Sequence, residues 1–355
     1  MEDIYYMKRC LELARLGADR VSPNPMAGCV IVFDDNIIGE GFHSYFGGSH
    51  AEVNAILSVK NKDLLPFSTL YVNLEPCVHF GKTPPCVDLI ISHNIPKVVI
   101  SNTDPFEKVS GKGIKKLRDA DIEVICDIME NEGKELNKRF FCFHKNKRPY
   151  IILKWAQSID GFIDRDRAQD LATKNQPTWI SGQYMKTIVH KWRSEEDAII
   201  VGTKTALNDN PKLTVREFPS NKNPLRIVID RELKLSESLH LFDDSADTLV
   251  ITEKTNITNK ANVEYITVNF NDDIIQQLLN ILYNRNKLSL IVEGGSILLN
   301  SFIKKGLWDE ARIITGNKII GKGVKAPAIE GTIIEKYNID SDSLVIIKNN
   351  GSILK

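Results

Sequence analysis

The sequence carries no surplus of either charge: 46 Lys and Arg balance 46 Asp and Glu over 355 residues. Proteins that grip nucleic acid through its phosphates usually show a basic excess, so the balance argues against that class of partner. Cysteine is scarce, at six residues (Cys10, Cys29, Cys77, Cys86, Cys126 and Cys142). That is too few for a disulfide-stapled scaffold of this length. Also missing is any uninterrupted apolar run of the ~18 residues that a membrane span needs. The opening MEDIYYMKRCLELA is acidic and amphipathic, so it does not read as a secretory signal. The expected setting is reducing and cytoplasmic, with no membrane partner.

What is present is the composition of a globular protein, 42% apolar and 26% charged. The length favours two domains. From Asp3 to about Gly17 the apolar spacing fits a helix. AGCVIVF, IIGEGFH, TLYVNLEPC, PKVVIS and IEVIC then read as strands. HAEVNAILSV, CVDLIISHN and GKGIKKLRDA read as helices, and MENEGKELNKRFFCF as one closing helix. Strands alternating with helices predict an α/β layer sandwich. The basic, apolar-poor run HKNKRP ends this pattern, and the expected division is 1–146 and 147–355. A second alternation follows, with strands at YIILKWAQSIDG, AIIVG, LRIVID, DTLVIT, LSLIVEGG and EARIIT. Its helices fall near 181–192, 272–285 and 295–304, and the tail TIIEKYNIDSDSLVIIKNNG reads as a hairpin closing the sheet.

The chemistry concentrates in PCVHFGKTPPC (76–86) and in His50-Ala51-Glu52 at the start of a predicted helix. Catalytic zinc takes three protein ligands, commonly N and S, and keeps one position for water. His50, Cys77 and Cys86 make such a set, each at a strand-to-helix junction or a helix start. On a regular helix two positions are about 200° apart, so Glu52 suits a proton carrier better than a fourth ligand. Zinc lowers the pKa of a bound water, and a neighbouring carboxylate can take its proton and pass it on. Those parts fit hydrolytic deamination of a heterocycle, whose signature is H-x-E with paired cysteines. Other readings of the same residues are a structural zinc with His79 as fourth ligand, and two buried cysteines beside a surface histidine.

In the second half, LSLIVEGGSILLNSFI (288–303) is strand, Gly-Gly, helix. Backbone N–H groups at such a helix start can hold phosphate oxygens. Arg193 and Arg216 could grip a phosphate as planar forks.

His50-Ala51-Glu52 with Pro76-Cys77 and Cys86 resembles the cytidine-deaminase-like superfamily, whose common form places two residues between the cysteines. Here there are eight. The long loop, with SPNPMAGCVIV (22–32) and GFHSYFGGSHAE (41–52), resembles one branch, the bifunctional riboflavin-biosynthesis deaminase–reductases. KWAQSIDG, KWRSEEDAIIVGTKTALNDNPKLTVR, RIVID and VEGG extend the resemblance over nearly the whole chain. It implies an N-terminal cytidine-deaminase-like α/β/α sandwich and a C-terminal dihydrofolate-reductase-like α/β domain, with zinc and NADPH as cofactors. It also implies that Asn24, His43 and His79 contact a pyrimidine, with Glu52 catalytic. Trp179, Thr205, Asp209, Gly295, Ser296 and Ile297 become cofactor contacts by the same resemblance. Arg193, Leu213, Arg216 and Glu293 become contacts to a sugar phosphate.

The implied reactions are consecutive. The first replaces the 2-amino group of 2,5-diamino-6-ribosylamino-4(3H)-pyrimidinone 5′-phosphate by a carbonyl, releasing ammonia. The second reduces the ribosyl side chain to ribityl with hydride from NADPH, and Lys154 or Asp209 is the candidate proton donor. The resemblance further implies a homo-oligomer with a small-molecule ribotide as substrate. One segment departs from the family: DRDRAQDLATKN intervenes before Trp179, and Pro177-Thr178 stand where a serine is expected. Two other functions remain open at this point. One is deamination of another nucleobase or an RNA-borne base beside a degenerate reductase-like module. The other is a zinc-stabilised binding protein without catalysis.

Overall fold

Five of the six residues in β1 (Gly28–Phe33) are buried, so this strand needs cover on both faces. In the computed structural model, which describes residues 2–78, 84–107, 109–167, 176–220 and 222–351, alternate side chains divide between two cores. Val30 and Val32 pack with Tyr6, Met7, Cys10 and Leu13 of helix α1 (Glu2–Arg15). Cys29 and Ile31 point the other way, toward Ala51, Ala55 and Ile56 of α2 (Ala51–Ser58) and Val87 and Ile90 of α3 (Cys86–Ser92). The period of two along a strand thus makes the α/β/α sandwich that the alternation predicts.

The chain divides into two units, Met1–Lys147 and Arg148–Ile353. In the first, the strand order is β2 (Asn36–Phe42), β1, β3 (Thr69–Leu74), β4 (Lys97–Asn102), β5 (Glu123–Ile125). β1 runs antiparallel to β2 and β3, and β3, β4 and β5 are parallel. Gly41 lets α2 lie against β2, since a Cβ there would sit 2.3 Å from the Ala55 nitrogen. α4 (Lys112–Arg118) follows β4.

The expected single closing helix is two: α5 (Glu130–Leu136) and α6 (Lys138–Asn146). The break falls at Asn137, at φ −100° and ψ 24°. Its buried amide accepts the Met26 N–H at 2.8 Å and donates to the Met26 carbonyl at 2.9 Å. A long-range pair of hydrogen bonds outweighs helix continuity here, and the periodicity of the segment carries no sign of it.

In the second unit a nine-stranded sheet has the order β11 (Val263–Thr267), β10 (Thr248–Thr252), β9 (Leu225–Ile229), β8 (Ala198–Gly202), β12 (Ser289–Glu293), β6 (Tyr150–Ser158), β13 (Glu310–Gly316), β16 (Asp342–Lys348), β15 (Thr332–Ile339). It is parallel from β11 to β13, and the β15–β16 hairpin closes one edge antiparallel. Ala198 and Ile200 face one core while Ile199 and Val201 face the other. Helices α7 (Gln183–Glu195), α9 (Ile274–Asn284) and α10 (Ser296–Lys304) match the expected positions. The short α8 (Thr203–Asp209), β11 and the small sheet of β7 (Phe162–Arg165) with β14 (Gly323–Lys325) are additions to the sequence reading. Arg226, fully buried in β9, is held by its Nη1 on the His240 carbonyl at 2.8 Å, its Nη2 on the Asp243 carbonyl at 2.8 Å and its Nε on Thr248 Oγ1 at 2.9 Å. Among the described residues no helix is long and apolar enough to cross a membrane.

Candidate active sites

The first site forms where three segments of the sandwich end together. His50 is the N-cap of α2, Cys77 lies just beyond β3, and Cys86 is the first residue of α3. The His50 Nδ1 is 3.5 Å from Cys77 Sγ and 3.3 Å from Cys86 Sγ, and all three ligand atoms fall within 4.8 Å of one another. Tetrahedral zinc, with Zn–S about 2.3 Å and Zn–N about 2.0 Å, sets ligand-to-ligand edges of roughly 3.5 Å. The donor set and its spacing therefore fit zinc. The Cys86 N–H also donates to Cys77 Sγ at 3.4 Å, the kind of bond that favours a thiolate. Cys77 is held down at about 4, first by the Cys86 thiol, against burial, with His50 and the Cys86 backbone adding to the effect.

Glu52 is the second residue of α2 and only 4% exposed. Burial pushes its carboxyl above the usual range, against the pull of the His50 charge. A carboxyl moved upward is suited to exchange protons near neutrality. His50 itself is in extended backbone, φ −69° and ψ 163°, so the helical 200° separation does not apply to this pair. The N-cap conformation sends the imidazole to the sulfurs while Glu52 stays buried beside them.

Asn24 and His43 are brought together. His43 Nδ1–H donates to the Ser49 carbonyl at 3.0 Å, which leaves Nε2 to accept from Asn24 Nδ2 at 3.0 Å. Burial keeps this imidazole neutral by lowering its pKa. Its ring meets that of His50 edge-on, with centroids 5.6 Å apart. His79, Lys82 and Thr83 lie outside the described residues.

One residue of this site escaped the sequence reading. Glu75 is buried between β3 and Cys77 and accepts four backbone N–H groups. They belong to Asp104 (3.2 Å), just after β4, and to Gly111 (2.9 Å), Gly113 (2.8 Å) and Ile114 (3.2 Å) at the start of α4. The available signal was an acidic residue inside an otherwise apolar strand end, TLYVNLEPC.

The second site gathers around the middle of β6 and the end of β12, with residues from α7, α8 and the start of α10. Lys154 and Glu293 are register partners on adjacent strands, with Lys154 Nζ 3.7 Å from Glu293 Oε1. Arg193 of α7 donates to Glu293 Oε2 at 2.9 Å. Burial pushes Glu293 up, but Arg193 and Lys154 hold it at about 2. Burial in turn lowers Lys154. Arg193 and Arg216 converge on the Thr214 carbonyl, at 3.4 and 3.1 Å, so the two forks share one neighbourhood. His190, absent from the sequence reading, accepts the Arg216 N–H at 2.9 Å. Leu213 is 1% exposed and belongs to the core; any ligand contact there falls to its backbone.

Glu293 is followed by Gly294 at φ +128°, a conformation that favours glycine. Gly295 caps α10, and its N–H donates to Thr205 Oγ1 at 2.9 Å. Ser296 opens α10, and Ile297 is 67% exposed. Trp179 is exposed, with Lys186 Nζ 4.0 Å from its ring centroid. Asp209, at the end of α8, is ion-paired with Arg167, and Thr178 Oγ1 donates to Asp164 at 2.6 Å.

Residues 1–102 match the family model for the cytidine and deoxycytidylate deaminase zinc-binding region, and residues 149–349 match that for the RibD C-terminal domain. The riboflavin biosynthesis protein RibD of Aquifex aeolicus is 40% identical over 329 residues, covering 91% of this chain and 89% of the relative. The chain belongs to the RibD family. RibD of Synechocystis is 39% identical, covering 94% and 89%. Among solved structures, the deaminase/reductase of Thermotoga maritima superposes with a TM-score of 0.88 at 38% identity, covering 98% of this chain and 99% of that one. RibD of Acinetobacter baumannii follows at 0.85 and 29%, covering 98% of each. As a RibD protein the chain is a bifunctional deaminase and reductase of riboflavin biosynthesis, with a zinc-binding deaminase domain and a reductase domain. The readings as an RNA-base deaminase or a non-catalytic zinc protein fall away with that membership.

Proposed function

We propose that the two units catalyse consecutive steps on one pyrimidine ribotide. The first removes the 2-amino group of 2,5-diamino-6-ribosylamino-4(3H)-pyrimidinone 5′-phosphate as ammonia. The second reduces the ribosyl side chain to ribityl with NADPH. The observation that carries the first half is the cluster of His50, Cys77 and Cys86 with buried Glu52 against it. These three residues would hold zinc, which when bound supplies Lewis acidity toward water. Glu52 would carry a proton from the attacking water to the departing amine. Asn24 and His43, locked together as neutral hydrogen-bonding groups, orient the pyrimidine.

In the second unit, Arg193 and Arg216 are placed to hold the sugar phosphate beside Glu293. Thr205, Gly295, Ser296 and Ile297 line the cofactor around the α8–α10 contact, with Trp179 beside it. Lys154, lowered by burial, is the group placed to hand a proton to the opened ribosyl chain. The reading divides the activities at the boundary between 146 and 147. It includes a cytoplasmic setting and a homo-oligomer. The exposed Ile333, Ile334 and Tyr337 of edge strand β15 offer the self-pairing surface such an assembly needs.

The test supplies purified, zinc-loaded protein with the ribotide and follows ammonia, then NADPH absorbance. Ammonia release followed by stoichiometric NADPH oxidation is the expected course. Ammonia without NADPH consumption would retire the second activity, and no ammonia would retire the first.

A further inference from the structure

The segment in which this chain departs from its family contributes a residue to the reductase site. Arg167 is the last described residue before 168–175, and its side chain is only 10% exposed. Nε donates to Asp164 Oδ2 at 2.6 Å, and Nη1 donates to the carbonyls of Gln176 at 3.0 Å and Asn208 at 3.3 Å. Nη2 donates to Asp209 Oδ1. One guanidinium thus ties β7, the irregular segment leading to Trp179 and the last turn of α8. Forked contacts of this kind fix an acceptor in direction as well as charge. Thr178, in the place of the family's serine, spends its hydroxyl proton on Asp164 Oδ1, so it too reinforces this clamp.

We propose that Arg167 is a positioning residue of the reductase site, aiming the Asp209 carboxylate so that it serves as a hydrogen-bond acceptor for the bound cofactor. This rests on the reading of the second unit as an NADPH-dependent reductase. It also assigns the proton to Lys154, the alternative that the sequence left open.

The electrostatics give the inference a distinctive signature. Among the described residues, the charged groups acting on Asp209 include Arg167, Asp164 and Arg165, all from β7 and the residues just after it. The net shift of its carboxyl is upward: burial, the largest effect, and Asp164 outweigh the pull of Arg167 and Arg165. Without Arg167 the balance moves toward the neutral acid. At pH 8 the variant would present an unpaired carboxylate to an anionic dinucleotide, and acidification would remove that charge.

The experiment measures NADPH binding by fluorescence, without turnover, from pH 6 to pH 8. Wild type, Arg167→Met, Arg167→Lys, Asp209→Asn and the double variant R167M/D209N are compared. The expected result for Arg167→Met is about tenfold weaker binding at pH 8, recovering by several-fold toward pH 6, the size of one unpaired charge. Arg167→Lys should keep a flat profile, and the double variant should regain affinity over Arg167→Met at pH 8. Far-UV circular dichroism and thermal unfolding of the second unit report that each variant is folded. Binding weakened equally at every pH, or unchanged, overturns the inference. A misfolded Arg167→Met transfers the decision to Arg167→Lys, where binding weakened equally at every pH would overturn it. Wild-type protein that binds no NADPH overturns the cofactor reading itself and the inference with it.

Discussion

The Glu75 carboxylate accepts the Gly113 N–H at 2.8 Å and, through both oxygens, three further backbone donors. It stands two residues before Cys77, so the anchored strand end and the sulfur move together. Burying such a carboxylate is tolerable only because its lone pairs are filled.

Glu75→Ala therefore strands four N–H groups inside the first unit. At ~1–3 kcal/mol for each unsatisfied buried group, partly relieved by water, the loss should reach about 3 kcal/mol. Urea unfolding followed by circular dichroism measures it. Zinc release to a chelator should also accelerate, because Cys77 loses its anchor. A stability within ~0.5 kcal/mol of wild type would show that the carboxylate is not what fixes this corner.

Glu52→Gln keeps the size and burial of the side chain but removes the proton carrier. Ammonia release should fall by at least ~10²- to 10⁴-fold, the range of general acid–base catalysis. Zinc content by atomic absorption should stay at one per chain, since the ligand atoms belong to His50, Cys77 and Cys86. Loss of the metal together with activity would make Glu52 a ligand and not a proton carrier.

His190 predicts an acid-sensitive second unit. Its imidazole is held down at about 4 by burial first, then by Arg193 and Arg216, against Glu217 and Glu293. A histidine in the unfolded chain titrates near 6.5, so between about pH 6.5 and 4 the unfolded state binds a proton that the folded one refuses. The stabilisation is complete above that window and is lost as pH falls through it. Calorimetry should show a Tm that drops on acidification from pH 7 to 5, and His190→Gln should flatten the slope. Parallel slopes in the two proteins would rule His190 out as the source.

The fold was legible because its signals are local. Val30-Ile31-Val32 and the Ile199-Ile200-Val201 run announce buried strands, and the ligand types at 50, 77 and 86 announce a metal site. The features that escaped depend on pairings distant in sequence. Asn137 breaks a helix because of Met26, 111 positions away. Glu75 is explained by N–H groups 29 to 39 positions later. Arg167 meets Asp209 across 42 positions. In each case a polar side chain satisfies a backbone or a charge that sequence periodicity does not register. The family resemblance supplied the reductase contacts, and it pointed to the departing segment without saying what replaces the lost serine.

Among the described residues, the two cores that flank β1 are drawn from positions up to 129, and three cores of the second unit from 151 onward. His50, Cys77 and Cys86 likewise belong wholly to the first. This separation has a consequence for synthesis on the ribosome. At roughly 5–20 residues per second, the second half takes about 10 to 40 s to emerge. During that interval the first unit already possesses the two cores that flank β1 and the three ligands His50, Cys77 and Cys86. Metal loading and folding of the deaminase half can be finished while the reductase half is still being translated.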